Sequence, residues 1–197
     1  MIIKIIKKIK KLSKLINKRF IYYFFLTKKN KINSWHLYNN LNNRPYKKEI
    51  IKFCNQKNFE TVLDFGCGFG DIIKSLNSNK KYAYDSDPKI IKISKQLFSK
   101  SNINFLLEED LNFLKKNKID CVLFINLLHD YNIEQVKQII NPFIGSKYIL
   151  LDAINQDVKG FKYFHNYDFL LNDYNIQKNI FKEEPDRSFF ILEKKYV

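Results

Sequence analysis

Thr61-Val62-Leu63-Asp64-Phe65-Gly66-Cys67-Gly68-Phe69-Gly70-Asp71 is the stretch that decides the fold. Three β-favouring residues run into an acid, and glycine then recurs at every second position. Asp71-Ile72-Ile73-Lys74-Ser75-Leu76 follows as a helix-compatible run. A strand, a backbone-exposing turn and a helix start, in that order, are how α/β proteins hold a nucleotide-like ligand. Without a Cβ at Gly66, Gly68 or Gly70, a ligand can approach the main chain closely. Asp64, at the carboxyl end of the strand, can accept hydrogen bonds from a cationic or hydroxylated ligand.

Spacing separates the candidate ligands. A dinucleotide fingerprint needs G-x-G-x-x-G, but the position three after Gly68 is Asp71, whose carboxylate would repel a pyrophosphate at the helix N-terminus. A phosphate-binding P-loop needs Gly-Lys-Ser/Thr, and no such tripeptide occurs. A glycine-rich βα turn that holds nothing would carry the same local pattern, so the later strands have to arbitrate.

Lys81-Tyr82-Ala83-Tyr84-Asp85 reads as a second strand ending in an acid, about twenty residues beyond the glycines, as a ribose-binding acid should be. Asp87-Pro88 opens a helix as N-cap and first helical residue, with Ile90, Ile91, Ile93, Leu97 and Phe98 as its buried face. Residues 103–107 form a third strand, followed by Glu108-Glu109-Asp110. Residues 119–125 form a fourth, nearly all apolar, as a central parallel strand covered on both faces requires. A helix from Ile133 to Ile140, closed off by Pro142, leads to a fifth strand at 147–152. The alternation implies an open parallel sheet with its ligand at the carboxyl ends of the strands. Asp64, Asp85, Asp110 and Asn126 all fall at or just past such ends. Four polar groups in register with four strand ends point to a ligand rather than to solvated loops.

The pattern Asp64-x-Gly66-x-Gly68-x-Gly70, with these acids behind it, resembles motif I of the class I S-adenosylmethionine-dependent methyltransferases, over roughly residues 41–197. Their cofactor carries no phosphate, so Asp71 is no obstacle. The resemblance implies an α/β, Rossmann-like, seven-stranded and mostly parallel sheet. It has helices on both faces and one antiparallel strand in a C-terminal hairpin, which Ile176–Lys182, the turn 183–186 and Ser188–Glu193 fit. It also implies S-adenosyl-L-methionine as cofactor. Asp64 and the Gly66-Cys67-Gly68 backbone, with Gly70, would hold its amino-acid end. Asp85, with Ser86 beside it, would take the ribose hydroxyls, Asp110 and the Leu111 amide would read the adenine edge, and Asn126 would meet cofactor and acceptor.

Methyl transfer is an in-line displacement in which positioning supplies most of the acceleration. A base is needed only for a hydroxyl or protonated amine acceptor. His129, in the loop after strand four, is the candidate base, or else a residue that packs and bonds that loop. Asp130 beside it is a candidate acceptor contact. His165 could line the acceptor pocket, or the aromatic run 161–167 could begin a core-packed helix. The Asn/Asp-Pro-Pro-Tyr motif of methyltransferases acting on amino groups of nucleic-acid bases is absent, which weighs against that substrate class.

The net charge of +15 is unevenly placed. Residues 1–48 contain 12 Lys and 2 Arg and no acid, while the remaining 149 residues carry 21 basic against 20 acidic side chains. We therefore divide the chain into a basic extension at 1–40 and a near-neutral methyltransferase domain at 41–197. Ile2, Ile5, Ile9, Leu12 and Ile16 fall at helical steps with lysines opposite, and Phe20–Leu26 follows as an aromatic patch. A basic amphipathic helix over 2–26 suits an anionic membrane surface, packing on its own domain or a sister subunit, or RNA, in that order of preference. Its uncharged run is far short of the ~20 residues that span a bilayer. Trp35, His36, Tyr38 and Tyr46 read as an acceptor-covering lid. Three widely spaced cysteines, Cys54, Cys67 and Cys121, indicate reduced thiols in a cytoplasmic protein with no metal centre. The expectation is a methyltransferase of a small-molecule, glycan or lipid-linked acceptor at the cytoplasmic membrane face. An RNA or protein methyltransferase docking through the arm is the runner-up, and a non-catalytic scaffold of the same fold comes third.

Overall fold

In the computed structural model the described residues are 18–33, 36, 39–116, 118–155, 158–182 and 184–195. Seven strands form one sheet in the order β3-β2-β1-β4-β5-β7-β6. They are β1 (Thr61–Phe65), β2 (Lys80–Tyr84), β3 (Ile103–Leu106), β4 (Cys121–Phe124), β5 (Tyr148–Ile154), β6 (Tyr174–Ile180) and β7 (Arg187–Lys194). β7 runs antiparallel to both of its neighbours, and the pairings among β1 to β5 are parallel. Strand order reverses between β1 and β4, and the carboxyl ends on either side of that reversal open the crevice where such sheets hold ligands.

The helices are α1 (Lys18–Lys29), α2 (Tyr46–Lys57), α3 (Asp71–Lys74), α4 (Pro88–Leu97), α5 (Leu111–Lys116) and α6 (Ile133–Ile140). Their ends follow local chemistry. The Asp87 carboxylate accepts the Lys89 N–H at 2.9 Å ahead of Pro88. Asn132 and Gln135 exchange side chain-to-backbone bonds at 3.0 Å as the capping box of α6. Asn58 ends α2 in the left-handed conformation.

Tyr46, Ile50 and Cys54 of α2, Ile72 and Ile73 of α3 and Ile91 of α4 cover one face of the sheet. Leu114 of α5 with Val136 and Ile140 of α6 cover the other. Burying each such side chain contributes about 1.5–3 kcal/mol. Every residue of β5 is buried, as its central place demands.

Two expectations are modified. The run 161–167 forms no helix: His165 and Tyr167 are drawn to loop and strand carbonyls instead, and only the 3₁₀ turn Asp168–Leu170 follows. The basic extension is described only from Lys18. There, Leu26 of α1 and Ile32 pack with Phe69, Ile90 and Ile93, so part of the extension rests on its own domain. Phe24 and Phe25 (65% exposed) face outward. The remainder of the expected 2–26 helix lies outside the described residues. No described helix is long and apolar enough to cross a membrane.

Candidate functional site

The glycine loop is a closed hydrogen-bonded unit. The Gly66 and Cys67 amides both donate to the Tyr84 carbonyl, at 2.8 and 2.9 Å, and the Gly68 amide donates to the Asp85 carboxylate at 2.9 Å. Gly66, at φ +81°, could not carry a side chain: a Cβ would meet Leu127 Cδ2 at 3.0 Å. With three successive amides spent inside the protein, the loop has few donors left for an anion and presents acceptors. Cys67 donates its thiol to the Gly68 carbonyl at 3.3 Å, and burial pushes the thiol up so that it stays protonated.

Asp64 ends β1 at only 3% exposure. Burial pushes its carboxyl up to about 7, against the opposing pull of the Lys47 ammonium and the Ile73 N–H. Asp85 is also raised by burial, although its oxygens accept the Gly68 and Asp87 amides. Lys47 is buried and donates to the Asn39 carbonyl at 2.7 Å. Burial lowers its pKa, while the charges of Asp71, Asp64 and Asp152 act to raise it. The site is thus a buried set of carboxylates around a single buried ammonium.

Beyond β4, Asn126 is held in the left-handed region at φ +59° by two partners. Its N–H donates to Asp152 Oδ1 at 2.7 Å and its Oδ1 accepts from Arg187 Nη2 at 3.0 Å. Arg187 is 2% exposed, pairs with the Asp152 carboxylate through Nη1 and lies 4.8 Å above the Tyr46 ring. The Asn126 side-chain oxygen is therefore turned into this network.

His129 is buried in the 3₁₀ turn Leu128–Asp130, edge-on to Phe161 at 4.9 Å between ring centres. Its Nδ1 is buried with no hydrogen-bond partner, and Nε2 lies 3.8 Å from Asp130. Burial lowers its pKa, which keeps the ring neutral. Asp130 itself points to solvent. His165 Nε2 lies 3.1 Å from both the Leu128 and Tyr131 carbonyls, so it carries the proton and clamps the loop that bears His129.

Asp110 spends one oxygen on the Leu107 amide at 2.8 Å, and the Leu111 amide donates to the Glu108 carbonyl. Both residues thus build the turn after β3. Ser86 is exposed next to Asp85. His36 is half-buried against the Phe69 ring, with Nδ1 3.7 Å from where a Gly68 Cβ would stand. The extension therefore does reach the glycine loop. Tyr46 is a core residue instead of an acceptor contact: it is fully buried between Arg187 and Phe181. Trp35 and Tyr38 lie outside the described residues. No group among the described residues could hold a metal ion.

Sequence reasoning missed Lys47, Asp152 and Arg187. Asp152 continued the series of acids at strand ends and was visible in principle. Lys47 was hidden in a basic run, and Arg187 betrayed nothing until pairing placed it against Asp152.

Residues 62–144 match the family model described as Methyltransferase domain. No curated sequence matches the chain. Among solved structures, the N-methyltransferase NodS from Bradyrhizobium japonicum, in complex with S-adenosyl-L-homocysteine, aligns at TM-score 0.69 and 13% identity over 88% of this chain and 98% of that one. Magnesium protoporphyrin IX methyltransferase from Synechocystis, with bound S-adenosylmethionine, aligns at 0.60 and 17% over 76% and 78%. The 16S rRNA methylase ArmA aligns at 0.58 and 19% over 96% and 97%. At these identities the likeness concerns the fold. The family match runs from β1 to just past α6 and so includes the glycine loop and the acids that ring it. Sheet order, cradle and family match agree: the chain has the fold of the class I S-adenosylmethionine-dependent methyltransferases and carries a methyltransferase-domain match over residues 62–144.

Proposed function

We propose that this methyltransferase acts on a small-molecule, glycan or lipid-linked acceptor at the cytoplasmic membrane face, with residues 41–197 as the catalytic domain. The observation that carries the cofactor assignment is the buried Asp64 carboxyl, pushed up to about 7 beside a loop whose amides are already bonded. Such a cradle suits a cationic ligand without phosphate. When bound, S-adenosylmethionine supplies an electrophilic methyl group. Asp64 and the loop backbone of Gly66, Cys67, Gly68 and Gly70 hold its ammonium end, and Lys47 meets its carboxylate. Asp85, with Ser86, takes the ribose, and the turn carrying Asp110 and Leu111 borders the adenine. Asn126, fixed by Asp152 and Arg187, sets the course of the loop that faces the acceptor. His129 is the candidate base for a hydroxyl or ammonium acceptor, and burial keeps its ring neutral, as a base must be. Trp35, His36 and Tyr38 keep their assignment as an acceptor-covering lid, supported by His36, which rests against the Phe69 ring beside the glycine loop.

The near-neutral domain favours a small acceptor over nucleic acid. Support for the membrane face comes from the acid-free first 48 residues and from Phe24 and Phe25, exposed side by side next to Lys28. The RNA reading draws on the same charge and on the likeness to an rRNA methylase. Calorimetry of the full chain should give S-adenosylmethionine binding that Asp85→Ala weakens at least tenfold; equal affinity would remove the ribose assignment. Flotation with anionic liposomes should carry the wild type upward and the Phe24→Ser/Phe25→Ser double variant much less. Salt-sensitive RNA retention without flotation would favour the second reading.

A further inference from the structure

β5 and β6 are parallel strands separated in the sheet by β7, so the chain must cross over β7 between them. Such a crossover ordinarily places a helix on the sheet and buries that face. Here no α-helix lies between β5 and β6 among the described residues, which form an irregular strap ending in one 3₁₀ turn. The strap is tied down by His165 on the Leu128 and Tyr131 carbonyls and by the Tyr167 hydroxyl on the Asp152 carbonyl at 2.9 Å. What the helix would have filled is a cavity of about 510 Å³ at the carboxyl end of β5.

Register defines its floor. Ala153 pairs with Ser188 and Leu151 with Phe190, which in turn pairs with Lys178, so these side chains share one face of the sheet. Phe190 and Ser188 line the cavity from below, Ile133 at the start of α6 and Phe164 of the strap wall it, and Asn155 borders it with its amide already bonded to the Pro185 carbonyl and the Ser188 hydroxyl. Ile133 and Phe164 are among the few large apolar side chains left exposed. Lys178 is the only ordinarily charged side chain among the described lining residues; its ammonium lies 5.5 Å from the Phe190 ring centre, and no carboxylate stands among them. The volume falls in the range of about 300–1,000 Å³ that small-molecule sites occupy. One wall is hydrogen-bonded to the loop that carries His129, and β5 lies next to β4 in the sheet.

We propose that this cavity is the acceptor site and that it takes a flat, partly apolar small molecule bearing one acidic group. Phe164 and Phe190 face its rings, and Lys178 meets the anion. The inference rests on the methyltransferase reading, since it assigns the acceptor of that same reaction. It also narrows the acceptor: a lone cation in a cavity of this size cannot track a nucleic-acid backbone, which requires several.

The test uses the full chain saturated with S-adenosyl-L-homocysteine, with 2-naphthoate and its neutral counterpart 2-naphthalenemethanol as probes followed by amide chemical shifts. Both should shift Asn155, Asn166, Lys178 and Ser188. Naphthoate should bind about fivefold more tightly than the alcohol, as one partly exposed charge allows. Lys178→Gln should erase that difference, and Phe164→Ala, at an exposed position that leaves the core intact, should weaken both probes about three- to tenfold. Shifts confined to α1 around Phe24 and Phe25, or none at these four amides at millimolar probe, would overturn the proposal. If the homocysteine product binds and naphthoate does not, the cavity assignment falls and the cofactor reading stands. If naphthoate binds but the product does not, the cavity is a ligand site outside methyl transfer and the acceptor assignment falls.

Discussion

Cofactor binding should release a proton, and Asp64 should be its source. In the unliganded protein burial holds this carboxyl at about 7. An ammonium or sulfonium brought against it favours the ionised form and draws the pKa down, so the proton must leave when the ligand arrives. Taking a midpoint of 7, the free protein carries about 0.9 proton there at pH 6, about 0.5 at pH 7 and about 0.1 at pH 8, and binding should release these amounts. Affinity should therefore rise about tenfold from pH 6 to pH 8, or about 1.4 kcal/mol. The sign for stability is the reverse. A carboxyl raised by folding stabilises the unliganded protein below the unfolded value near 4, and that contribution is lost as pH rises through 7. Calorimetry in two buffers of different ionisation enthalpy counts the protons directly. Titration of the ligand's own amine is common to wild type and Asp64→Asn, so the difference between the two isolates Asp64. Equal proton release in both proteins would refute the reasoning.

Lys47→Met removes the charge that opposes burial at Asp64, so the midpoint of the same pH profile should move upward by about one unit. Arg187→Met leaves the buried Asp152 carboxylate unpaired at a cost of about 3–5 kcal/mol. The melting temperature should fall by about 10 °C at the usual 2–4 °C per kcal/mol for this size, and adding Asp152→Leu should recover part of it. Gly66→Ala forces a side chain into the left-handed region and against Leu127; cofactor binding should be lost, with a stability loss of about 1–3 kcal/mol by chemical denaturation. The ring-proton titrations of His36 and His129 followed by magnetic resonance should both lie below 6.5, since burial dominates at each.

Most of the fold was legible because periodicity and punctuation agreed. Asp87-Pro88 and Asn132 mark helix starts by local bonds that sequence alone implies, and the apolar run of β4 announces a strand buried on both faces. The glycine loop was legible for the same reason, since its backbone conformation admits few other residues. The crossover after β5 was not. Its aromatic residues carry a helix-compatible pattern, but the pull of His165 and Tyr167 toward distant carbonyls is tertiary and leaves no local mark. The Asp152–Arg187 pair was invisible likewise, because strand pairing brings together residues 35 positions apart. Asn126 stood in the right place, yet its side chain serves Arg187. Spacing reports where a residue sits, not which way its polar atoms turn.

The crossover strap also bears on how the enzyme could be made to accept a different molecule. Its described residues contribute no strand to the sheet, and its hydrogen-bonded anchors lie at His165 and Tyr167, near its C-terminal end. Residues 158–164 can therefore be lengthened or exchanged around Phe161, which packs on His129, at a loop-closure cost of only about 0.6 kcal/mol per doubling. The glycine cradle and the Asp152–Arg187 pair would keep every bond they have. If the cavity takes the acceptor as proposed, cofactor use and acceptor choice lie in separable parts of the chain, and loop grafting at 158–164 is the direct route to altered specificity.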